Sequence, residues 1–134
     1  MTGEADVAAA VSGFYEALNV LFSGDAGPMK NAWSHAGDCT YMGPDGLYLL
    51  GWEKLEPMWD HVGSLKLGGR VNPKQLNTVV GTDMALITCV ESGENEVDSE
   101  AEEVSIRSST VFRKEGDAWK VIAHQTDLLS FLAE

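Results

Sequence analysis

The sequence predicts an α+β domain in which three N-terminal helices pack on one face of a strongly curved, mostly antiparallel sheet. Two patterns carry this reading. Apolar residues recur at helical spacing through the first half of the chain, interrupted by one short hairpin. From about residue 70 onward, strand-like runs follow one another between turn signals. Length supplies a third observation: 134 residues make one ordinary domain. No repeat or low-complexity linker divides the chain, so residues 1–134 read as a single domain.

The elements follow in order. Val7, Val11, Phe14, Leu18 and Leu21 step by four and three, which places them on one helix face. Ser23-Gly24-Asp25 ends that helix, and Asp25 can cap a second, shorter one. Pro28 is tolerated only in the first turn of that second helix, where Met29 and Trp33 then share a face. Cys39–Met42 and Leu47–Leu50 flank Gly43-Pro44-Asp45-Gly46, a turn sequence that predicts a β-hairpin. Trp52, Leu55, Trp59 and Val62 return to helical spacing. Pro57 implies that this helix either starts late, near Lys54, or kinks. Gly63 and then Gly68-Gly69 end it. Gln75–Val80 and Met84–Val90 flank Gly81-Thr82-Asp83, and Val104–Arg113 and Trp119–Thr126 flank Glu115-Gly116-Asp117. Between these two pairs, Glu91–Glu103 holds many carboxylates and no Lys or Arg. It reads as a solvated, self-repelling loop rather than a metal site.

Composition narrows the function classes. Hydrophobic residues make up 44% of the chain, enough for a core. The formal net charge of −12 repels phosphate backbones and anionic headgroups, so nucleic acid and membrane partners are not expected. Cys39 and Cys89 each lie in an apolar run without a CxxC pair, and read as buried, reduced thiols. No basic segment followed by an apolar stretch opens the sequence, and no apolar run approaches the ~18 residues of a membrane span. The cytoplasm is the default location. His35, His61 and His124 have no metal-ligand spacing with one another or with either cysteine, so no metal is expected. No phosphate-cradling glycine loop, nucleophile elbow or dinucleotide fingerprint is present, and no cofactor is expected.

Several segments carry a family likeness. They are Phe14-Tyr15-Glu16-Ala17-Leu18-Asn19, Gly24-Asp25, Trp33-Ser34-His35, Thr40-Tyr41-Met42-Gly43-Pro44 and Gly51-Trp52. The set closes with Arg107, Val111-Phe112-Arg113, Gly116 and Trp119-Lys120-Val121-Ile122. With these residues the chain resembles the SnoaL-like branch of the nuclear transport factor 2-like superfamily, a branch of small bacterial proteins. The resemblance covers nearly the whole chain. It implies a cone-shaped barrel, open at one end, with a pocket between the long helix and the concave sheet face. It also implies a homodimer packed through the sheet. The superfamily hosts isomerases, dehydratases, polyketide cyclases, oligomerisation hubs and a transport factor, so the likeness alone does not assign a function.

Candidate site residues follow from the resemblance and from side-chain chemistry. Ketosteroid isomerase-like relatives carry a carboxylate base just before the hairpin proline, where this chain has Gly43. Asp45 lies two residues on, within the turn, and is a weak substitute. Many SnoaL-like relatives carry a His-x-His pair in the last strand. The matching positions here are Ala123 and Gln125, with His124 expected to face the other way, at the surface or an interface. Gln125 remains able to hydrogen-bond a ligand. Arg107 matches an arginine that relatives point into the pocket, where its guanidinium would bind a carboxylate or polarise a carbonyl. A surface arginine answering Glu102 and Glu103 is the other reading. Asp127, on the last strand, could pair with Arg107 inside the pocket and is a second weak catalytic candidate. The aromatics Tyr15, Trp33, Tyr41, Trp52 and Trp59 form a candidate lining, each of them also suited to a plain core.

Three functions are compatible with these residues. The first is a domain that binds an apolar or aromatic small molecule bearing a carboxylate or carbonyl. The second is a cofactor-independent isomerase, lyase or cyclase that abstracts a proton beside a carbonyl, with Arg107 or Tyr41 steadying the enolate oxygen. The third is a dimerisation module with an incidental cavity. Val104, Ile106 and Phe112 are expected on one face of the final strands and Val111 and Val121 on the other, leaving one apolar face in need of a partner.

Overall fold

Helix α1 (Thr2–Phe22) buries Val7, Val11, Phe14 and Leu21, with Leu18 half-buried, as the four-and-three spacing predicts. The computed structural model describes residues 2–133. One point departs from the sequence reading: Gly3–Phe22, at mean hydropathy 1.2, is long and apolar enough to cross a membrane by length and composition. In this fold its apolar face is the core. Helix α2 (Gly27–Ala32) takes Pro28 in its first turn, and Asp25 Oδ1 accepts from the Gly27 N–H at 2.9 Å. Met29 and Trp33 then enter the core together.

Strands β1 (Thr40–Met42) and β2 (Tyr48–Leu50) form the predicted hairpin. Helix α3 (Trp52–Leu65) starts at Trp52, before Pro57, and not near Lys54. It runs on through Pro57, whose missing N–H leaves the carbonyl of the exposed Glu53 without its helical donor. Lys66 in left-handed conformation, followed by Gly68 and Gly69 at positive φ, ends the helix and turns the chain into the sheet.

The remaining strands are β3 (Arg70–Val80), β4 (Met84–Val97), β5 (Glu100–Glu115) and β6 (Ala118–Thr126). The sheet order is β2-β1-β6-β5-β4-β3, with β1 and β6 parallel and all other neighbours antiparallel. The acidic stretch Glu91–Glu103 is therefore not a loop. It is the end of the long β4–β5 hairpin, closed at Asp98 and Ser99, whose φ values of 53° and 68° suit a two-residue turn. Glu94, Glu96, Glu100 and Glu103 are exposed. In water such charges repel weakly, and strand pairing overrides them.

A bulge separates the two halves of β6. Phe112 pairs with Val121 and Val111 with Ala123, so Ile122 is the extra residue. Val121 therefore faces inward, buried with Phe112, and not outward with Val111 as alternation suggested. The core gathers Phe14, Trp33, Leu55, Ile87, Phe112 and Val121 between the helices and the concave face. Asn19 ties α1 to the sheet: its amide donates to the Val71 carbonyl at 3.0 Å and accepts from the Val71 N–H at 2.8 Å.

Candidate functional site

A cavity of about 750 Å³ lies between α1, α3 and the concave sheet. Phe14, Leu18, Trp59, Val62 and Val71 supply apolar wall, joined by Leu129, Phe131 and Leu132 from the C-terminal segment. Its buried carboxylate, amide and imidazole residues, Glu91, Asn95 and His124, belong to the strands. The inward parity of Ala85, Ile87 and Cys89 on β4 continues to Glu91 and Asn95, so a carboxylate arrives at the cavity floor. On β6 the bulge turns His124 inward, and it too borders the cavity.

These groups form one cluster. Glu91 is 4% exposed and His124 is 6% exposed. Tyr15 donates its hydroxyl proton to Glu91 Oε2 at 2.8 Å, and His124 Nε2 lies 3.4 Å from the same oxygen. The other imidazole nitrogen, Nδ1, is 2.8 Å from Thr110 Oγ1. Cys89 Sγ and Ser108 Oγ sit behind Tyr15, at 3.2 and 3.4 Å from its hydroxyl. Among the described residues only one oxygen of Glu91 is engaged by a side chain. A carboxylate held in an apolar cavity needs such donors, because burial without them is costly.

The protonation states follow from burial. Burial, and then the Glu91 charge, push the Tyr15 phenol far above its usual range, so it stays a donor to Glu91. Burial pulls the His124 imidazole below its usual value, against the upward pull of Glu91. The ring is therefore neutral in the folded protein at pH values where the unfolded chain takes up a proton. The unfolded state binds more protons in that window, so stability rises with pH through it. This contribution is complete above the unfolded value of about 6.5 and is lost as the pH falls below it. Thermal denaturation should show a lower Tm at about pH 5.5 than at about pH 7.5. His124→Gln should flatten that slope, and an unchanged slope would refute this origin.

The sequence-selected residues separate into three groups. Tyr41 and Trp59 line the cavity, and Tyr15 supports it through Glu91. Trp33 is core packing, against Trp59 at 5.9 Å between ring centroids, and Trp52 stacks on His35 at 4.2 Å away from the cavity. Ser34, between Trp33 and His35, donates to Glu115, which also holds Arg113. The Trp-Ser-His segment is thus structural.

Arg107 and Gln125 lie on the opposite, outer face of the sheet: Gln125 is not in the cavity, and Arg107 takes its surface reading, with Asp127 in place of Glu102 and Glu103. The Arg107 side chain is 84% exposed and makes a two-pronged pair with Asp127, at 2.8 and 2.9 Å. That guanidinium holds the Asp127 carboxyl down at about 2. Both groups serve the outer surface, so neither Arg107 as an anion anchor nor Asp127 as a base is available to the cavity. Asp45 borders the cavity mouth, where Oδ1 accepts from the Leu47 N–H at 3.1 Å, the turn role its position suggests. Among the described residues no group of three metal-ligating side chains occurs. Glu91 and His124 were not selected from sequence. The signal for Glu91 was present in the alternation Ala85, Ile87, Cys89, Glu91.

A long helix laid over a curved, mostly antiparallel sheet is the arrangement of the cystatin-like fold, which solved nuclear transport factor 2-like proteins share. The model of a SnoaL-like domain matches residues 7–132, and the chain belongs to that family. Among solved structures it is similar to a candidate dehydratase of the nuclear transport factor 2-like family from Streptomyces avermitilis. The TM-score is 0.80 at 21% identity, covering 96% of this chain and 97% of that one. It is also similar to a candidate calcium/calmodulin-dependent protein kinase type II association domain from Thiobacillus denitrificans. There the TM-score is 0.76 at 20% identity, over 91% and 94% of the two chains. A nuclear transport factor 2-like protein with a cystatin-like fold from Novosphingobium aromaticivorans gives 0.74 at 16% identity, over 96% and 82%. At these identities the likeness establishes the fold and not the chemistry. The search of curated proteins gives no match by sequence.

Proposed function

We propose that this protein binds a small, uncharged, largely apolar carbonyl compound in its cavity and moves a proton beside the carbonyl. The observation that carries this is the Glu91–His124 pair at the floor of an apolar cavity, oriented by Tyr15 and Thr110. A base must be charged, fixed and shielded from water to take a weakly acidic C–H proton. Glu91 is buried and held by Tyr15, and in this proposal it is that base. Its carboxylate takes the proton, and the bond electrons pass to the carbonyl oxygen as an enolate. The same proton given back at another carbon is isomerisation. Given to a β-hydroxyl that leaves as water, it is dehydration. His124, fixed by Thr110, stands 3.4 Å from the same carboxylate oxygen that Tyr15 engages.

The ligand is read as a carbonyl compound and not a carboxylate. Arg107 is outside, the cavity interior holds a carboxylate, and its rim adds Asp45, Glu96 and Asp98 against Lys66. An anionic ligand would meet net repulsion there. The test is deuterium exchange in D₂O, followed by proton NMR, over a panel of cyclic ketones and enones. Catalysed loss of α-proton signal from at least one neutral ketone is expected. Binding without exchange across the panel would leave a passive binder and remove the enzyme reading.

A second-copy interface is part of the same proposal. Val79, Leu86 and Val111 stand in one row across the outer face, by the registers Val79↔Leu86 and Leu86↔Val111. Met84 and Leu76 are exposed beside them, at 44% and 48%. Such a row favours burial against a partner, and we assign it to a homodimer. Sedimentation equilibrium at micromolar concentration should give twice the 14.5 kDa chain mass. A monomer would contradict the assignment.

A further inference from the structure

The cavity contains a donor without an acceptor. Tyr41 is 4% exposed and lines the cavity, yet its hydroxyl has no hydrogen-bond partner among the described residues. The hydroxyl is not sealed off: among the described residues the fully buried donors without a partner are Trp33 Nε1 and Trp59 Nε1, and the Tyr41 hydroxyl is not one of them. Its placement is set by the backbone. The β1–β6 register puts Tyr41 directly opposite His124, and the β5–β6 register puts His124 opposite Thr110. These three side chains therefore form one inward row. The next inward row holds Thr126, Ser108 and Cys89, and the row beyond it holds Ile106 and Glu91; Gly43 follows one residue past the end of β1. The Tyr41 ring leans along the chain over Gly43: a Cβ built at Gly43 would overlap the phenol ring and hydroxyl. The phenol thus fills the space that any side chain at residue 43 would take. Its hydroxyl lies over Gly43, beyond the His124 row.

We propose that Tyr41 is the donor that holds the ligand's oxygen, and that Gly43 is glycine to make room for it. This inference rests on the reading of the cavity as a carbonyl site and names the group that fixes the carbonyl's orientation. Tyr41 and Glu91 both line the cavity, so a ligand whose oxygen sits on Tyr41 shares that space with the Glu91 carboxylate. Burial, with Asp45 and Glu91 adding to it, holds the phenol protonated well above the usual range, so Tyr41 donates and does not act as a base. One glycine therefore exchanges a side chain at residue 43 for a donor from residue 41. The inference also defines ligand choice: an acceptor oxygen on an apolar body.

Two probes of nearly the same shape test this, 2-acetylnaphthalene, which has a carbonyl, and 2-ethylnaphthalene, which has none. Titration calorimetry should show wild type preferring the ketone by about tenfold, the equivalent of one hydrogen bond. Tyr41→Phe should erase the preference while leaving the affinity for 2-ethylnaphthalene unchanged. Gly43→Ala should erase it as well, with the tyrosine still present, because the added methyl drives the phenol out of its place. Tyr41→Phe keeps the ring, so a normal melting curve is expected for it. Persistence of the preference in Tyr41→Phe would overturn the proposal and leave the cavity reading standing. Equal binding of both probes by wild type would do the same. If wild type bound neither probe, the cavity reading would fall together with it.

Discussion

Replacing Glu91 with Gln is expected to reduce ketone deuterium exchange by a factor on the order of 10²–10⁴, the usual contribution of a positioned base. Glutamine keeps the volume and still accepts from Tyr15, but it cannot take a proton. The loss should appear in the rate and not in affinity, because the amide leaves the cavity wall intact. Stability should not fall. A buried carboxylate is a cost to folding that a neutral amide relieves, and the Tyr15 hydrogen bond survives the exchange. The Tm of Glu91→Gln is thus expected to equal or exceed that of wild type. A drop in Tm together with lost exchange would mean that Glu91 is a structural anchor. Undiminished exchange in the variant would place the base elsewhere.

The largest effect on stability is expected at Gly69. Its φ is +73°, a conformation that costs an L-residue roughly 1–2 kcal/mol. Its Cα also lies against the backbone of the β4 end: an added Cβ would overlap the Glu94 carbonyl. Backbone at both contacts cannot yield as a side-chain tip can. Gly69→Ala should therefore destabilise by about 3 kcal/mol or more, a fall in Tm of roughly 10 °C. The strain falls where α3 hands the chain to β3, beside Leu67 and Val71 at the cavity edge, so ligand binding should weaken along with stability. Thermal denaturation with and without 2-acetylnaphthalene measures both. A variant as stable as wild type would show that the turn can be rebuilt without positive φ.

Much of the architecture was legible because it depends on local patterns. The four-and-three spacing of Val7 to Leu21 needs only a helix, and Gly-Pro-Asp-Gly needs only a turn. What was not legible depended on pairing between strands. Asp98 and Ser99 adopt positive φ without a glycine to announce it, so a hairpin end read as an acidic loop. Glu91 was absorbed into that loop by its charge, although its parity with Ile87 and Cys89 placed it inside. Arg107 was drawn into the cavity by resemblance. Its own alternation with Ser109 and Val111 left the face open, and the parity of Ile106, Ser108 and Thr110 decided for the outside. Tyr41 and Trp59 border the cavity, whereas Trp33 and Trp52 are packing. Large aromatics look alike in sequence whether they line a cavity or fill a core.

The extra residue in β6 gives this strand slack in its length. Val121 lies inward on one side of the bulge and His124 on the other, three positions apart, where an unbroken strand would need an even number. A chain shorter by one residue at Ile122 would keep both inside, with the ladder continuous. Conversely, a relative with an unbroken strand of this length would turn the residue equivalent to His124 away from its cavity. Alignment of such strands by position in the sequence therefore misplaces the interior whenever one partner carries the bulge. Inward positions in this family are better counted from both ends of the strand, outward from the hairpin at Gly116 and backward from Thr126, and allowed to disagree by one in the middle.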